Sequence, residues 1–319
     1  MRAVVVGGGS WGSTFAALLA ERDHEVVLAC RDAEQVAAIE ATGRNPRYVR
    51  GLDLSRVAAR TLADAPLAEA EVIVVAVPSR SFHDVVDALP DGGVPVLSLV
   101  KGLDPVTGDR LSRAFAERPF AVLSGPNHAE EIADGLPAAA VIASEDEELA
   151  TRLQHEIISP RFRVYVNADL VGVELCAAAK NVIALAAGGA DGLGLGDNAK
   201  AALVTRGLAE MGRLAEVDGA RPETFAGLAG MGDLIVTCWS PSGRNRRCGE
   251  LVAQGMTPAD AALSIGMVVE GLTTAPTLRD LAHRLDVEMP ITEGVCAVLD
   301  GVPLSDLVGQ LMRREPTVE

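Results

Sequence analysis

The chain has 319 residues, 49% of them hydrophobic, with 44 acidic against 28 basic side chains and a formal net charge of −16. So apolar a chain excludes intrinsic disorder, and so negative a chain lacks the basic face that a nucleic-acid binder needs. Only three of the 28 basic residues are lysines, namely Lys101, Lys180 and Lys200. The plainer reading of the scarcity is a general drift from Lys to Arg. The survivors are then candidates for chemistry that Arg cannot copy, because Arg does not deprotonate in proteins.

Residues 3–6 read as a short buried strand that runs into Gly7-Gly8-Gly9-Ser10-Trp11-Gly12 and a helix over 13–21. Arg2 and the apolar stretch after it could pass for a secretory leader, but the glycines interrupt it. Strand, G-x-G-x-x-G and helix in that order are the dinucleotide-binding signature. Gly7 makes the turn, Gly9 lets the backbone approach a pyrophosphate, and Gly12 lets helix and strand pack closely. The alternative is a glycine-rich turn without a ligand. Further strands are predicted at 25–29, 72–77, 94–100, 121–123, 138–143 and 162–166, with a helix at 33–41. Several are continuous apolar runs, as in parallel strands covered on both faces, and the alternation predicts a doubly wound α/β sheet.

From about residue 168 the strand signals stop. Helices are predicted at 169–187, 199–217, 259–265, 273–285 and 291–299. The expected fold class is therefore α/β: an N-terminal Rossmann-type doubly wound sheet over 1–168 and an all-helical domain over 169–319. No run reaches 18 uninterrupted apolar residues, so no membrane insertion is expected. The five cysteines are scattered without C-x-x-C spacing, which fits a reducing, cytoplasmic setting. No His and Cys set has zinc spacing, and no metal site is expected.

Four places carry chemistry. At the end of the second strand stands Cys30-Arg31-Asp32. Arg31 suits a 2′-phosphate and Asp32 suits ribose hydroxyls, so NADP is favoured and NAD stays open. Lys101 and the Gly125-Pro126-Asn127 segment follow predicted strands, where ligands of open α/β sheets bind. Residues 175–185 form an apolar helix broken only by Lys180 and Asn181. A lysine there either snorkels to the surface or is a desolvated acid/base group with a lowered pKa. Finally, Arg244-Asn245-Arg246-Arg247 is the densest positive patch, read as a loop able to grip a phosphate, with Asp233 nearby to accept hydroxyl hydrogen bonds. A solvated basic turn is the plainer reading.

These segments together resemble the bacterial-type NAD(P)-dependent glycerol-3-phosphate dehydrogenases. The resemblance runs from about residue 2 to residue 300. It is carried by GGGSWG (7–12), RNPRY (44–48), VAVPS (75–79), KGL (101–103), SGPN (124–127), GVELCAAAKNVIALAAG (172–188), TRGLAEM (205–211), GLAGMGDLIVTC (227–238), RNRR (244–247) and VVEG (268–271). It implies a Rossmann domain with a helical domain, and hydride transfer between NAD(P)H and dihydroxyacetone phosphate or glycerol 3-phosphate. It further implies a supply of glycerol 3-phosphate to phospholipid synthesis, a small phosphorylated polyol as substrate, and a homodimer. Residue by residue, it implies that Lys180 is the catalytic proton carrier and that Lys101 contacts both cofactor and substrate. Gly125, Asn127, Asp233, Gly243, Arg244 and Asn245 match substrate contacts. Ser10, Trp11, Arg31, Tyr48, Ala129, Arg244, Val268 and Glu270 match cofactor contacts, beside the glycines. Asn127 stands where Thr is common and Gly243 where Ser is common, which leaves their side-chain roles open. Lys200 stands where the resemblance leads one to expect Arg, and is taken as a rim charge without a role. Two readings compete with this one. One is a related dehydrogenase of a 3-hydroxy acid or sugar-acid phosphate, and the other a catalytically silent dinucleotide sensor.

Overall fold

The computed structural model describes residues 1–115 and 118–306. Its first half runs β1 (Arg2–Val6), α1 (Ser10–Ala20), β2 (Glu25–Cys30), α2 (Ala33–Thr42), β3 (Ala58–Thr61), β4 (Val72–Val75), α3 (Phe82–Val86), β5 (Val96–Ser98), β6 (Phe120–Ser124), α4 (Ala129–Ala133), β7 (Ala138–Ala143), α5 (Glu147–Ile157) and β8 (Phe162–Asn167). Among the described residues these strands form one eight-stranded sheet in the order β3-β2-β1-β4-β5-β6-β7-β8. The order reverses between β1 and β4, which opens a crevice at their carboxyl ends.

Side chains alternate across the strands. Ala3 and Val5 of β1 pack with Phe15 and Leu19 of α1 and with Leu153 of α5. Val4 and Val6 face the other way, toward Ile73, Phe82, Phe115 and Phe120. Phe115 stacks on Phe120 with ring centroids 4.9 Å apart, and Phe82 meets Phe115 edge-on at 5.5 Å.

Two features depart from the expectation. β3 pairs with β2 at the sheet edge although its Ala-Ala-Arg-Thr sequence carries no strand signal. The run 138–143 is a strand as expected, but β7 lies antiparallel to β6. Its burial on both faces gives it the same continuous apolar look as a parallel strand, so direction was not readable from composition.

After Asn167 every described element is helical: α6 (Leu170–Gly192), α7 (Gly196–Val217), α8 (Pro222–Ala226), α9 (Asp233–Trp239), α10 (Arg244–Ala253), α11 (Pro258–Ile265), α12 (Glu270–Arg284) and α13 (Pro290–Leu299), with one wide helical turn at Leu228–Gly232. Residues 307–319 of the predicted helical half lie outside the described residues. The central element is α6. It is long and apolar enough to cross a membrane by length and composition, yet 89% of its most apolar window is buried inside the fold. Around it pack Met211 and Leu214 of α7, Cys248 and Leu251 of α10, Leu278 and Leu281 of α12, and Val295 of α13. The approach of α10 is especially close: a Cβ on Gly249 would lie 1.9 Å from the Leu185 carbonyl oxygen. α6 thus carries Lys180 and Asn181 into the interior with only 3% and 5% of their surface exposed.

Candidate active site

The dinucleotide turn comes first. Gly7 has φ of +120°, and a Cβ on Gly12 would fall 1.9 Å from the Gly7 carbonyl oxygen, so neither position accepts a side chain. A Cβ on Gly9, in contrast, would meet no protein atom within 4 Å. Gly9 is also the N-cap of α1 and supplies no capping side chain, so the first amides of the helix, including those of Ser10 and Trp11, lie beside open space. That is the cradle an anionic pyrophosphate requires. The Trp11 indole N–H is buried without a partner beside it. Thr14 Oγ1 donates to the Ala129 carbonyl at 3.2 Å, which ties the start of α4 to this turn. Arg31 is exposed just past β2, and Tyr48 is half-buried in a loop that Asn45 fastens to the turn. A dinucleotide fits these residues.

The second group centres on Asp233, the first residue of α9, which is fully buried. Its Oδ1 lies 2.5 Å from Lys180 Nζ, and its Oδ2 lies 3.2 Å from Lys101 Nζ. Lys180 Nζ also donates to Thr237 Oγ1 at 3.2 Å, and Ser124 Oγ donates to Asp233 Oδ2 at 3.3 Å. Lys101 Nζ donates to Asn127 Oδ1 at 2.6 Å and to the Gly125 carbonyl at 3.3 Å. The Asn127 side chain therefore holds Lys101 directly. Its Nδ2 is buried with no partner.

Burial pushes the Lys180 ammonium down to a pKa of about 7; Asp233 resists this and Lys101 adds to it. Burial alone would raise the Asp233 carboxyl, but Lys101 and then Lys180 outweigh it and hold it below its ordinary value. His128, beside Asn127, is lowered by its own burial and by Lys180, so it stays neutral near pH 7. The group at this centre poised to exchange a proton near neutrality is Lys180.

The third group lies where α10 and α12 begin. Gly243 is the N-cap of α10, with Arg244 and Asn245 as its first residues and no capping side chain. The amides of a helix start suit a phosphate. Asn245 Nδ2 donates to Asn181 Oδ1 at 2.8 Å, and Asn181 Nδ2 donates to the Lys101 carbonyl at 2.7 Å. This chain couples the α10 start to the lysine centre. Asn245 Oδ1 accepts from the Gly271 amide at 2.9 Å, and Arg244 Nη1 donates to the Val268 carbonyl at 3.1 Å. Glu270 accepts from Ser79 Oγ at 2.7 Å, joining α12 to the carboxyl end of β4, and burial raises its carboxyl.

Two expectations need correction. The 244–247 patch is the first turn of a helix, not a loop, and it does not act as one cation cluster. Arg246 is paired with Asp191 at 2.9 Å and Glu250 at 3.3 Å, and Arg247 lies 4.0 Å from Glu250. Helical spacing points Arg246 back onto α6. Lys200 is no rim charge. It is 4% exposed, 2.7 Å from Asp191, and sits over the Trp239 ring at 5.0 Å. Sequence reasoning also passed over Thr237, Ser124 and Ser79. Thr237 alone had a local signal, standing one helical turn after Asp233.

The family models for the NAD-dependent glycerol-3-phosphate dehydrogenase N-terminus and C-terminus match residues 2–150 and 169–308. A glycerol-3-phosphate dehydrogenase (NAD(P)+) of Moorella thermoacetica is 46% identical over 325 residues, covering 99% of this chain and 96% of the relative. One from Thermobifida fusca is 45% identical over 330 residues, covering 100% of this chain and 98% of the relative. The crystal structure of glycerol-3-phosphate dehydrogenase from Coxiella burnetii superposes with a TM-score of 0.94 at 37% identity, covering 98% of this chain and 99% of the other. The chain belongs to the NAD-dependent glycerol-3-phosphate dehydrogenase family.

Proposed function

We propose that this chain reversibly reduces dihydroxyacetone phosphate to glycerol 3-phosphate with NADPH or NADH, NADPH being preferred, and so supplies glycerol 3-phosphate for phospholipid synthesis in the cytoplasm. Residues 1–168 act as the cofactor unit and 169–319 as the helical substrate unit. The carrying observation is the buried Lys180–Asp233–Lys101 cluster, in which Asp233 lies between the two lysines and burial lowers Lys180 to a pKa of about 7.

Gly7, Gly9, Ser10, Trp11, Gly12, Arg31, Tyr48, Lys101, Ala129, Arg244, Val268 and Glu270 hold the dinucleotide. Reduced nicotinamide, when bound, supplies the hydride that C2 of the ketone accepts. Lys180 as an ammonium hydrogen-bonds the carbonyl oxygen, stabilises the alkoxide charge that develops there, and gives it a proton. In the reverse direction neutral Lys180 takes the hydroxyl proton. Asp233 fixes both lysines and offers a hydrogen-bond acceptor to the polyol. Lys101 and the free Nδ2 of Asn127 orient the polyol, with Gly125 giving backbone contact. Gly243, Arg244 and Asn245, at the start of α10, take the phosphate. This last assignment favours a phosphorylated substrate over a plain 3-hydroxy acid.

The test is the loss of NADPH absorbance when dihydroxyacetone phosphate is added to the purified protein, repeated with NADH and with a phosphate-free 2-keto or 3-keto acid. Turnover that requires the phosphate supports the reading. Equal turnover of an unphosphorylated acid, or none with dihydroxyacetone phosphate, refutes it.

A further inference from the structure

We propose that Arg47, paired here with Asp32, is the residue that sets this chain's preference for a 2′-phosphorylated dinucleotide. The inference rests on the cofactor reading above and names the group behind it. An acid at the end of the second Rossmann strand bonds the ribose hydroxyls and repels a phosphate at the 2′ position. Asp32 stands there, directly after the exposed Arg31. Its carboxylate is already engaged on both oxygens. Oδ1 accepts from the Glu34 amide at 2.9 Å and caps α2, and Oδ2 lies 3.0 Å from an Arg47 Nη atom. The end of β2 therefore offers two guanidinium groups around one neutralised acid.

The loop bearing Arg47 is anchored to the cofactor turn itself. Asn45 is 1% exposed. Its Oδ1 accepts from the amides of Arg47 and Tyr48 at 3.0 and 3.1 Å. Its Nδ2 donates to the Gly8 carbonyl and to Ser13 Oγ, both at 2.9 Å. One buried amide thus fixes the position of Arg47 relative to the glycine turn. The Arg47 side chain remains 61% exposed and that of Asp32 30%, so their pair is weak and can exchange partners. A doubly charged phosphate on the 2′ oxygen draws Arg47 from the single carboxylate charge and accepts its fork geometry. Asp32 keeps its bond to the α2 amide. Without that phosphate Arg47 stays on Asp32 and withholds the acid from the ribose hydroxyls, which disfavours NADH.

The experiment is titration calorimetry of the full chain with four probes: adenosine 2′,5′-bisphosphate, AMP, NADPH and NADH. It is run on the parent, Arg47→Gln, Arg47→Lys and Asp32→Asn proteins. The expected result is that Arg47→Gln weakens both 2′-phosphorylated probes by at least about tenfold and leaves AMP and NADH bound as tightly as in the parent or more tightly, because Asp32 is released to the ribose hydroxyls. Arg47→Lys recovers part of the loss, and Asp32→Asn tightens the 2′-phosphorylated probes by removing their competitor. Weakening of all four probes alike, or of none, by Arg47→Gln overturns the assignment. A parent protein that binds NADPH no better than NADH, but loses only NADPH on Arg47→Gln, keeps the role of Arg47 and refutes the NADPH preference. A parent that prefers NADPH and is indifferent to Arg47→Gln does the opposite.

Discussion

At Lys180 two effects of opposite sign meet on one nitrogen. Burial penalises the ammonium, while a carboxylate 2.5 Å away favours it, and burial wins to the point of a pKa of about 7. Below that pH the ammonium predominates, and above it the neutral amine. In the proposed mechanism ketone reduction uses the ammonium, so its kcat/KM should be level below pH about 7 and fall by about tenfold per pH unit above it. Glycerol 3-phosphate oxidation uses the amine and should rise through the same pH. Parallel profiles in the two directions, measured under initial-rate conditions, would remove Lys180 from the proton transfer. This residue was legible in the sequence because a lysine in an otherwise apolar helix has no cheap place to go. Ser124 and Asn181 were not legible as members of the site. Their roles are bonds to Asp233 and Asn245, which only the folded chain brings near.

Between elements, the contact of α6 with α10 decides where the helix start proposed to take the phosphate lies relative to Lys180. In an isolated helix, alanine is better than glycine by about 1 kcal/mol. At Gly249 the sign should reverse, because the added methyl falls on the backbone oxygen of Leu185. Gly249→Ala is expected to destabilise the fold by about 1–3 kcal/mol through overpacking. Urea unfolding checks this, and a stabilised variant would show that the two helices can separate freely. The same contact explains why the 244–247 patch was misread. Charge density is visible in a sequence, but the face of a helix is visible only when its boundaries are known. Here the helix start at Arg244 sends Arg246 toward Asp191 on α6 and leaves Arg244 and Asn245 at its mouth.

In the whole molecule, the sheet and the helical bundle meet at a buried ion cluster. Arg110, 8% exposed, lies 3.2 Å from Glu174 of α6 and 2.9 Å from Asp218 at the end of α7. Ser112 donates to Glu174 through both its amide and its hydroxyl. Removing the cation leaves an acid buried without its partner, so Arg110→Met should cost about 3–5 kcal/mol. The double variant Arg110→Met with Glu174→Met should recover much of this. A single variant as stable as the parent in urea would show that the cluster does not join the two halves. The switch from α/β to helical order was legible, because strand and helix leave different periods in the sequence. The edge strand β3 and the reversed β7 were not, since pairing partner and direction are properties of the sheet and not of the segment. The net charge of −16 also gains meaning at this scale. An acidic chain that handles anionic ligands must attract them locally, and helix starts and lysines held beside Asp233 provide that attraction.

The most direct test of the central claim is kcat for dihydroxyacetone phosphate reduction at pH 7 by Lys180→Ala, with circular dichroism and the melting transition showing the fold intact. Loss of the proton donor predicts a fall of about 10²–10⁴. A folded Lys180→Ala enzyme that turns over at nearly the parent rate would contradict the account.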